Sequence, residues 1–446
     1  MSELPRGWVD VTVEDVGTIT SGFGFPDRFQ GHTTGDLPFA KVRDISQANR
    51  HNGGLLTAAA NYVSYSDLPF LKAKAVPAGS VAFAKIGEAL KLNRRVLLGV
   101  EAVLDNNCMA ITPQDGVISP RFLYRFMTTV DFAPFAVATT VPSIRKGDVG
   151  GIPLPLPPLA EQKRIVAKLD ALNAKSARAR TELSRIETLV SRYKQAVLSK
   201  AFSGELTREW RHLSLGDTLR HAQVGLVRSK EQQFTKGGAP YVRMNHFDLQ
   251  GRWKLDDITY VEASGQELLQ YTLQPGDVLF NTRNSFELVG KVAFWEGREE
   301  SFLYNNNILR MRFDGSIDPK FAFYQMQSGS FRTYLESVKS ATTSVCAIYQ
   351  KSLMQAPFLA PGDLAQQHDV VRRIETAFTK VDRLAAEAKR AMNLLGKLDE
   401  AILAKAFRGK LVSQDEGDEP AEKLLERIRA ERQAAPEAKR GRKKTA

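Results

Sequence analysis

The chain repeats itself. Ala196-Val-Leu-Ser-Lys-Ala-Phe-Ser-Gly-Glu-Leu206 returns as Ala401-Ile-Leu-Ala-Lys-Ala-Phe-Arg-Gly-Lys-Leu411, 205 residues further on. The same shift carries Leu159-Ala-Glu-Gln162 onto Leu364-Ala-Gln-Gln367. A period this long means two domain-sized units rather than a solenoid. Fainter echoes keep the same order. Leu37–Arg43 resembles Ala239–Arg243, Pro77–Phe83 resembles Pro275–Phe280, and Asp105–Cys108 resembles Tyr304–Ile308. Pro120–Phe122 resembles Pro319–Phe321, and Ala138–Thr140 resembles Ala341–Thr343. The plan is variable domain, helix, variable domain, helix.

The variable blocks read as mixed structure. Val81–Ile86, Val96–Leu104 and Val278–Phe280 have strand composition. Phe122–Met127 and Phe321–Met326 read as short helices, and Asn52-Gly-Gly54 and Lys236-Gly-Gly238 as turns. Two α+β domains are expected.

After the first block, Ile152-Pro-Leu-Pro-Leu-Pro-Pro-Leu159 cannot be helical, because proline lacks the backbone donor and prefers extended chain. A helix then runs from about Leu159 to Phe202, with Gly204 as its stop. Its seam residues are Ile165, Leu169, Leu172, Ser176, Ala179, Leu183, Ile186, Val190, Tyr193 and Val197, spaced alternately by four and three. The second helix shows the same spacing at Val370, Ile374, Ala377, Val381, Leu384, Ala388, Ala391, Leu395, Leu398 and Ile402. This is the coiled-coil pattern. Each helix, about 60 Å long at 1.5 Å per residue, finds its natural partner in the other. An antiparallel pairing that sets Ser176 against Ala391 and Leu183 against Leu384 brings small residues together at a waist. A parallel pairing also packs.

Composition limits the chemistry. Of the 446 residues, 62 are Lys or Arg and 50 are Asp or Glu, a net charge of +12. That points weakly to a polyanionic partner. The excess is uneven: the first helix, residues 159–202, carries ten basic and four acidic residues. Two cysteines, Cys108 and Cys346, exclude a disulfide framework and suit a reducing compartment, so a cytoplasmic location is expected. There is no transmembrane stretch. No Asn/Asp-Pro-Pro-Tyr/Phe adenine-methylation motif is present, and Gly290-Lys291, Gly396-Lys397 and Gly409-Lys410 lack the Ser/Thr of a phosphate loop. Gly22-Phe-Gly24 lacks the third glycine of a dinucleotide turn, and the six histidines show no metal-ligand spacing. No catalytic, metal or cofactor site is expected in this chain.

Leu154-Pro-Leu-Pro-Pro-Leu-Ala-Glu-Gln-Lys-Arg-Ile165 resembles the domain-closing motif of type I restriction–modification DNA specificity subunits, and Ala196–Leu206 with its copy resembles the ends of that family's two spacer helices. The resemblance covers about residues 4–412. The second junction, Ala356–Leu364, departs from it: it lacks the tandem prolines and has Gln366 where the first has Glu161. The resemblance implies an α+β fold with two similar target recognition domains (1–158 and 208–363). They are separated by two antiparallel spacer helices (159–207 and 364–412) forming a coiled coil with a pseudo-twofold internal repeat. The residues themselves imply a mobile charged tail (413–446) with an amphipathic helix at Ala421–Arg432 and a basic end. The resemblance implies a non-catalytic subunit that binds a bipartite, asymmetric double-stranded DNA target. It would dock two modification (methyltransferase) subunits and restriction (translocase/nuclease) subunits. S-adenosylmethionine, ATP and magnesium would belong to those partners. The alternative is a coiled-coil scaffold for proteins only, without sequence-specific DNA binding.

Base edges are read best by Arg, Asn and Gln, phosphates by Lys, Arg and small polar groups. The candidates in the first domain are Lys41, Arg43, Lys85, Lys91, Asn93, Arg94, Arg95, Ser143, Arg145 and Lys146. In the second they are Lys236, Tyr241, Arg243, Asn245, Asn281, Arg283, Asn284, Tyr349 and Lys351. Arg43 and Arg243 are expected to occupy matching repeat positions. The helix ends at Phe202 and Phe407 are expected to help dock the modification subunits.

Overall fold

The computed structural model describes residues 4–136, 141–203, 209–342 and 345–434. It divides into two compact units, Met1–Thr181 with Met392–Ala446, and Glu182–Ala391. The boundaries fall inside the spacer helices, so each unit takes the first part of one helix and the last part of the other.

Each unit holds the same two sheets. In the first unit the larger sheet runs Gly17–Ser21, Cys108–Pro113, Val81–Ala84, Arg95–Leu98, Leu55–Leu56. In the second it runs Leu219–Val224, Ile308–Phe313, Val278–Asn281, Val292–Phe294, without the fifth strand. The smaller sheets match through Asn61–Val63, Leu37–Ala40 and Val103–Leu104, against Thr259–Val261, Ala239–Val242 and Leu303–Tyr304. The run expected as one strand over Val96–Leu104 is therefore two. After Leu98 the chain leaves one sheet, and Val103 pairs with Phe39 in the other. Gly22 and Gly225 lie where strands cross. A Cβ on Gly22 would sit 1.9 Å from the Asp105 carbonyl oxygen, and one on Gly225 would sit 2.2 Å from that of Tyr304. Close backbone approach, not a nucleotide, explains these glycines.

The proline junction is a strand. Pro153–Leu156 pairs antiparallel with Val9–Thr12. Alternation sends Leu154 and Leu156 into the core and turns the prolines away. A two-stranded ribbon tolerates prolines that have no hydrogen to donate. Pro357–Ala360, paired with Arg211–Ser214, buries Phe358 and Ala360 in the same way. The Leu-Ala-Glu-Gln motif is a clamp. Gln162 accepts from the Ser119 amide at 2.8 Å and donates to the Val117 and Pro157 carbonyls at 3.0 Å. Gln367 accepts from the Asp318 amide at 2.8 Å and donates to the Ser316 and Pro361 carbonyls. The expected short helices are Pro120–Met127 and Pro319–Met326, each opened by a proline where its missing donor costs nothing.

The spacer helices are Leu159–Ala201 and Leu364–Ala406. In the first unit Ile165, Val166 and Leu169 share a core with Ala406, against which Ile402 and Leu403 also pack. Further along, Ser176 and Arg180 both bond Asp399, each at 2.7 Å. In the second unit Lys194 bonds Asp382 at 2.7 Å, while Leu198 and Phe202 share a core with Val371 and Ile374. Rising numbers on one helix meet falling numbers on the other in both units, so the segments are antiparallel.

The register differs from the one expected. Ser176 meets Asp399, eight positions beyond Ala391. The phase differs too. The covered stripe of the second helix passes through Phe378, Val381, Ala385, Ala388, Met392, Leu395, Asp399 and Ile402. Leu384 and Leu398, expected in the seam, are 56% and 50% exposed, and Tyr193 also faces solvent. The shifted register places Asp399 where two donors, Ser176 and Arg180, satisfy it.

The tail carries its expected helix but differs from the expectation in packing on the first unit. Ala421–Ala434 is a helix whose Ala421, Leu424 and Leu425 are buried in the first unit. Arg164 bonds Asp418 at 2.6 Å, and the Ala421 amide donates to the Gly7 carbonyl at 2.9 Å. An apolar face and two anchoring contacts hold it. The basic run Lys439–Lys444 lies outside the described residues.

Candidate nucleic-acid interface

The repeated framework allows the candidates to be compared position by position. In the first unit the Asp105 amide donates to the Ala40 carbonyl, the Lys85 amide to that of Asn107 at 2.8 Å, and the Ile144 amide to that of Lys85 at 3.0 Å. In the second unit the Asn305 amide donates to Val242, the Thr282 amide to Asn307 at 2.8 Å, and the Ile348 amide to Thr282 at 2.9 Å. These bonds bring three chain segments together at one end of the sheets in each unit. They carry Lys41, Lys85, Ser143, Arg145 and Lys146 in the first, and Arg243, Arg283, Asn284, Tyr349 and Lys351 in the second.

The same bonds correct the repeat alignment. Ala40 matches Val242, so Lys41, not Arg43, is the counterpart of Arg243. Both backbones are held alike: the Lys41 amide donates to Asp44 Oδ2 at 2.8 Å, and the Arg243 amide to His246 Nδ1 at 3.1 Å. Arg43 matches exposed Asn245. Lys41 Nζ lies 4.5 Å from the centre of the Phe25 ring, which orients it. Burial, then the Arg243 cation, push the His246 pKa below its ordinary value, so the ring is neutral at pH 7 and adds no charge here.

Some candidates hold the fold instead. Arg95 is 1% exposed. Its guanidinium carbon lies 3.7 Å from the centre of the Phe132 ring, and it donates to the Val130 carbonyl at 3.0 Å. Burial brings its pKa down to about 9, and nothing solvent-facing remains to meet a phosphate. Asn93 is used up locally, donating to Asp131 at 2.6 Å and accepting from Arg95 and the Phe132 amide. Its φ of 50° matches Gly290 at 85°, the turn position of the second unit. Tyr241 is buried and donates to the Leu226 carbonyl at 2.7 Å. Asn281 is buried and donates to the carbonyls of Arg283 and Asn307, both at 3.0 Å. Asn284 donates to Asn281 Oδ1, and Lys91 pairs with Glu88. Arg43, Arg145, Lys146, Asn245, Arg283, Tyr349 and Lys351 are exposed, while Lys85, Arg94 and Ser143 are half-buried. The aromatic helix ends are not docking faces either. Phe202 packs on Phe321 and Trp210, and Phe407 on Phe122 and Phe126, because each closes its unit's core.

Among the described residues, no three or more His, Cys, Asp or Glu side chains are grouped to hold a metal ion, and no helix is long and apolar enough to cross a membrane. What remains is a pair of cation- and amide-bearing strand ends on a repeated frame.

Known proteins share this plan. Residues 5–188 match the family model of the type I restriction modification DNA specificity domain. The chain is 27% identical over 468 residues to the type I restriction enzyme EcoKI specificity subunit of Escherichia coli, covering 99% of each. It is 26% identical to the StySPI specificity subunit of Salmonella potsdam, again covering 99% of each. Over nearly its whole length the chain is thus similar to type I restriction enzyme specificity subunits. Two solved structures share the fold. One, from work on complex assembly and conformational transition of the type I R-M system, superposes with a TM-score of 0.71 at 21% identity, covering 92% of this chain and all of that one. The HsdS subunit from Thermoanaerobacter tengcongensis gives 0.58 at 23% identity, covering 92% and 98%.

Sequence reasoning missed Val141, Val345 and Phe286, exposed apolar residues beside the strand ends. The signal was available in the echo of Ala138–Thr140 in Ala341–Thr343, which borders Val141 and Val345. Residues 137–140 and 343–344 themselves lie outside the described residues.

Proposed function

We propose that this chain is the DNA sequence-recognition subunit of a type I restriction–modification complex. Each unit reads one half of a bipartite, asymmetric target, and modification and restriction subunits supply the chemistry. The observation that carries this reading is the duplicated frame with different side chains at matching strand ends: Lys41 against Arg243, Arg43 against Asn245, Arg145 against Tyr349. One frame used twice with unequal readers suits two unequal half-sites. In this reading S-adenosylmethionine, ATP and magnesium belong to the partner subunits.

The spacer helices supply the docking faces. Leu189 and Tyr193 on the first, and Leu384, Leu394 and Leu398 on the second, are exposed outside the seam. Leucines spaced along a solvent-facing helix side suit burial against a partner, here the modification subunits. The restriction subunits join through those subunits or this chain.

The test is to co-express the chain with its neighbouring modification subunit and map methylated adenines across the host genome. A two-part motif with a fixed gap is the expected result, and scattered or absent methylation would end the reading. In the purified complex, Arg243→Ala should weaken cognate-site binding by about tenfold to a hundredfold, as loss of a charge-assisted contact of about 1.5–3 kcal/mol does. Filter binding on the mapped site measures it.

A further inference from the structure

The segments 141–145 and 345–349 carry the same burial pattern, exposed, buried, half-buried, buried, exposed. In the second unit Cys346–Ala347 pairs antiparallel with Arg283–Asn284 and with Ser340–Ala341, making a three-stranded ribbon. Alternation sends Cys346 and Ile348 into the core. It sends Val345, Ala347 and Tyr349 outward, beside Arg283, which lies directly opposite Ala347. In the first unit Ile86 bridges Ser143 in the same way. Pro142 and Ile144 turn inward there, and Val141, Ser143 and Arg145 outward.

The outward residues do nothing for the fold. Val345 is 47% exposed, Tyr349 57% and Val141 55%. Arg283 and Arg145 have no carboxylate partner among the described residues. Next to the ribbon, Phe286 is half exposed yet held still: its carbonyl accepts from Lys339 Nζ at 2.8 Å, and that Nζ lies 4.4 Å from the centre of its ring. Two neighbouring strands of this ribbon, Arg283–Asn284 and Cys346–Ala347, carry an outward face of arginine, aromatic and methyl groups that matches one cavity of duplex DNA. The major groove admits a two-stranded ribbon, and it presents guanine O6 and N7 to arginine and the thymine methyl to apolar side chains.

Resting on the recognition function above, we propose that this ribbon is the element that enters the major groove. Its outward positions then determine specificity: Arg283, Val345 and Tyr349 in the second unit, and Ile86, Val141, Ser143 and Arg145 in the first. The inward residues at matching places are all apolar or small, Pro142 against Cys346 and Ile144 against Ile348. The outward ones diverge in chemistry, Ile86 against Arg283 and Arg145 against Tyr349. A shared frame with divergent outward groups reads two different half-sites.

The experiment maps the methylation motif directed by the wild-type chain and by Arg283→Ala, Tyr349→Ala and Arg145→Ala, each co-expressed with the modification subunit. Binding of each purified complex to the wild-type site and to single-base variants of it follows. The first two substitutions should relax one half of the motif by about tenfold or more at a base pair, leaving the other half intact. Arg145→Ala should do the reverse. Arg283→Lys, which keeps the charge but loses the two-pronged donor, should relax the same base pair while retaining more affinity than Arg283→Ala. These are surface changes, and unchanged melting temperatures would exclude misfolding. A wild-type bipartite motif that persists unaltered in all three alanine variants overturns the ribbon alone. So does an even loss of affinity for every site variant, which would mark phosphate contacts. A wild-type chain that directs no bipartite motif overturns the recognition function and the ribbon with it.

Discussion

Glu161 shows how one residue separates the two copies of a motif. Its carboxylate is buried and accepts from Trp8 Nε1 at 3.0 Å. Burial raises its pKa above the ordinary value, outweighing the opposing Trp8 bond and Arg164 cation. At the matching place Gln366 is exposed and has no such demand. A carboxyl whose folded pKa is raised binds its proton more tightly in the folded state, so its contribution to stability falls as pH rises from the unfolded value through the folded one. Glu161→Gln should therefore gain stability over wild type as pH rises above the ordinary carboxyl range, measured as the difference in melting temperature at each pH. A difference that is flat or reversed would contradict the assignment. The clamp glutamines make a stronger claim. Gln367→Ala removes three hydrogen bonds and strands buried backbone groups, at about 1–3 kcal/mol for each unsatisfied group. Urea unfolding should show a loss of at least about 2 kcal/mol. Residues of this kind were only partly legible in the sequence. Gln162 and Gln367 were visible as a repeated motif, but two of the three partners of each lie 43–51 residues earlier in sequence. Arg95 looked like a DNA contact because charge is legible and burial is not: only the fold reveals Phe83 and Phe132 waiting for it.

At the scale of the element, period was easier to read than phase. The four-three spacing marked both spacer helices correctly. On the second helix, however, apolar residues stand at neighbouring positions, Leu384 beside Ala385 and Ala391 beside Met392. Either set completes a seam with four-three spacing, so spacing alone does not choose between them. The deciding residue is Asp399, which no apolar pattern would place in a seam. It is tolerated there because Ser176 and Arg180 meet it. Two substitutions separate seam from outer face. Leu172→Asp places a charge in the half-buried seam and should cost about 1–3 kcal/mol by thermal or urea unfolding. Leu398→Ser should leave stability within about 0.5 kcal/mol while weakening assembly with modification subunits in gel filtration. If Leu398→Ser instead unfolds the chain, the observed phase is wrong. If it unfolds nothing and assembly stays normal, that leucine is not a docking contact. The strands told a similar story. Val96–Leu104 read as one strand because composition carries no sign of a change of sheet.

For the whole molecule, the duplication was readable from two short segments, and the order of domains and helices followed from it. The fate of the tail did not. Its Asp-Glu-Gly-Asp-Glu-Pro run looked solvated, yet Asp418 is enclosed beside Arg164, and the helix after it lies on the first unit. Ending the chain after residue 412 should remove the burial of Leu424 and Leu425, worth about 3–6 kcal/mol at 1.5–3 kcal/mol per side chain. Calorimetry of the shortened protein should show a lower melting transition for the first unit. Unchanged melting would mean that the tail only rests there.

The way the first unit is composed bears on its birth. The second unit is one unbroken stretch, Glu182–Ala391, but the first needs both ends of the chain. Made from its N-terminus at about 5–20 residues per second, the protein has every residue of the second unit once position 391 has left the ribosome. The first unit, begun earlier, must wait with its core open until Ile402, Ala406 and Leu425 arrive. The half that starts first is thus the half that finishes last. A chain cut short soon after position 391 holds every residue of the second unit, while the core of the first still lacks Ile402, Ala406 and Leu425.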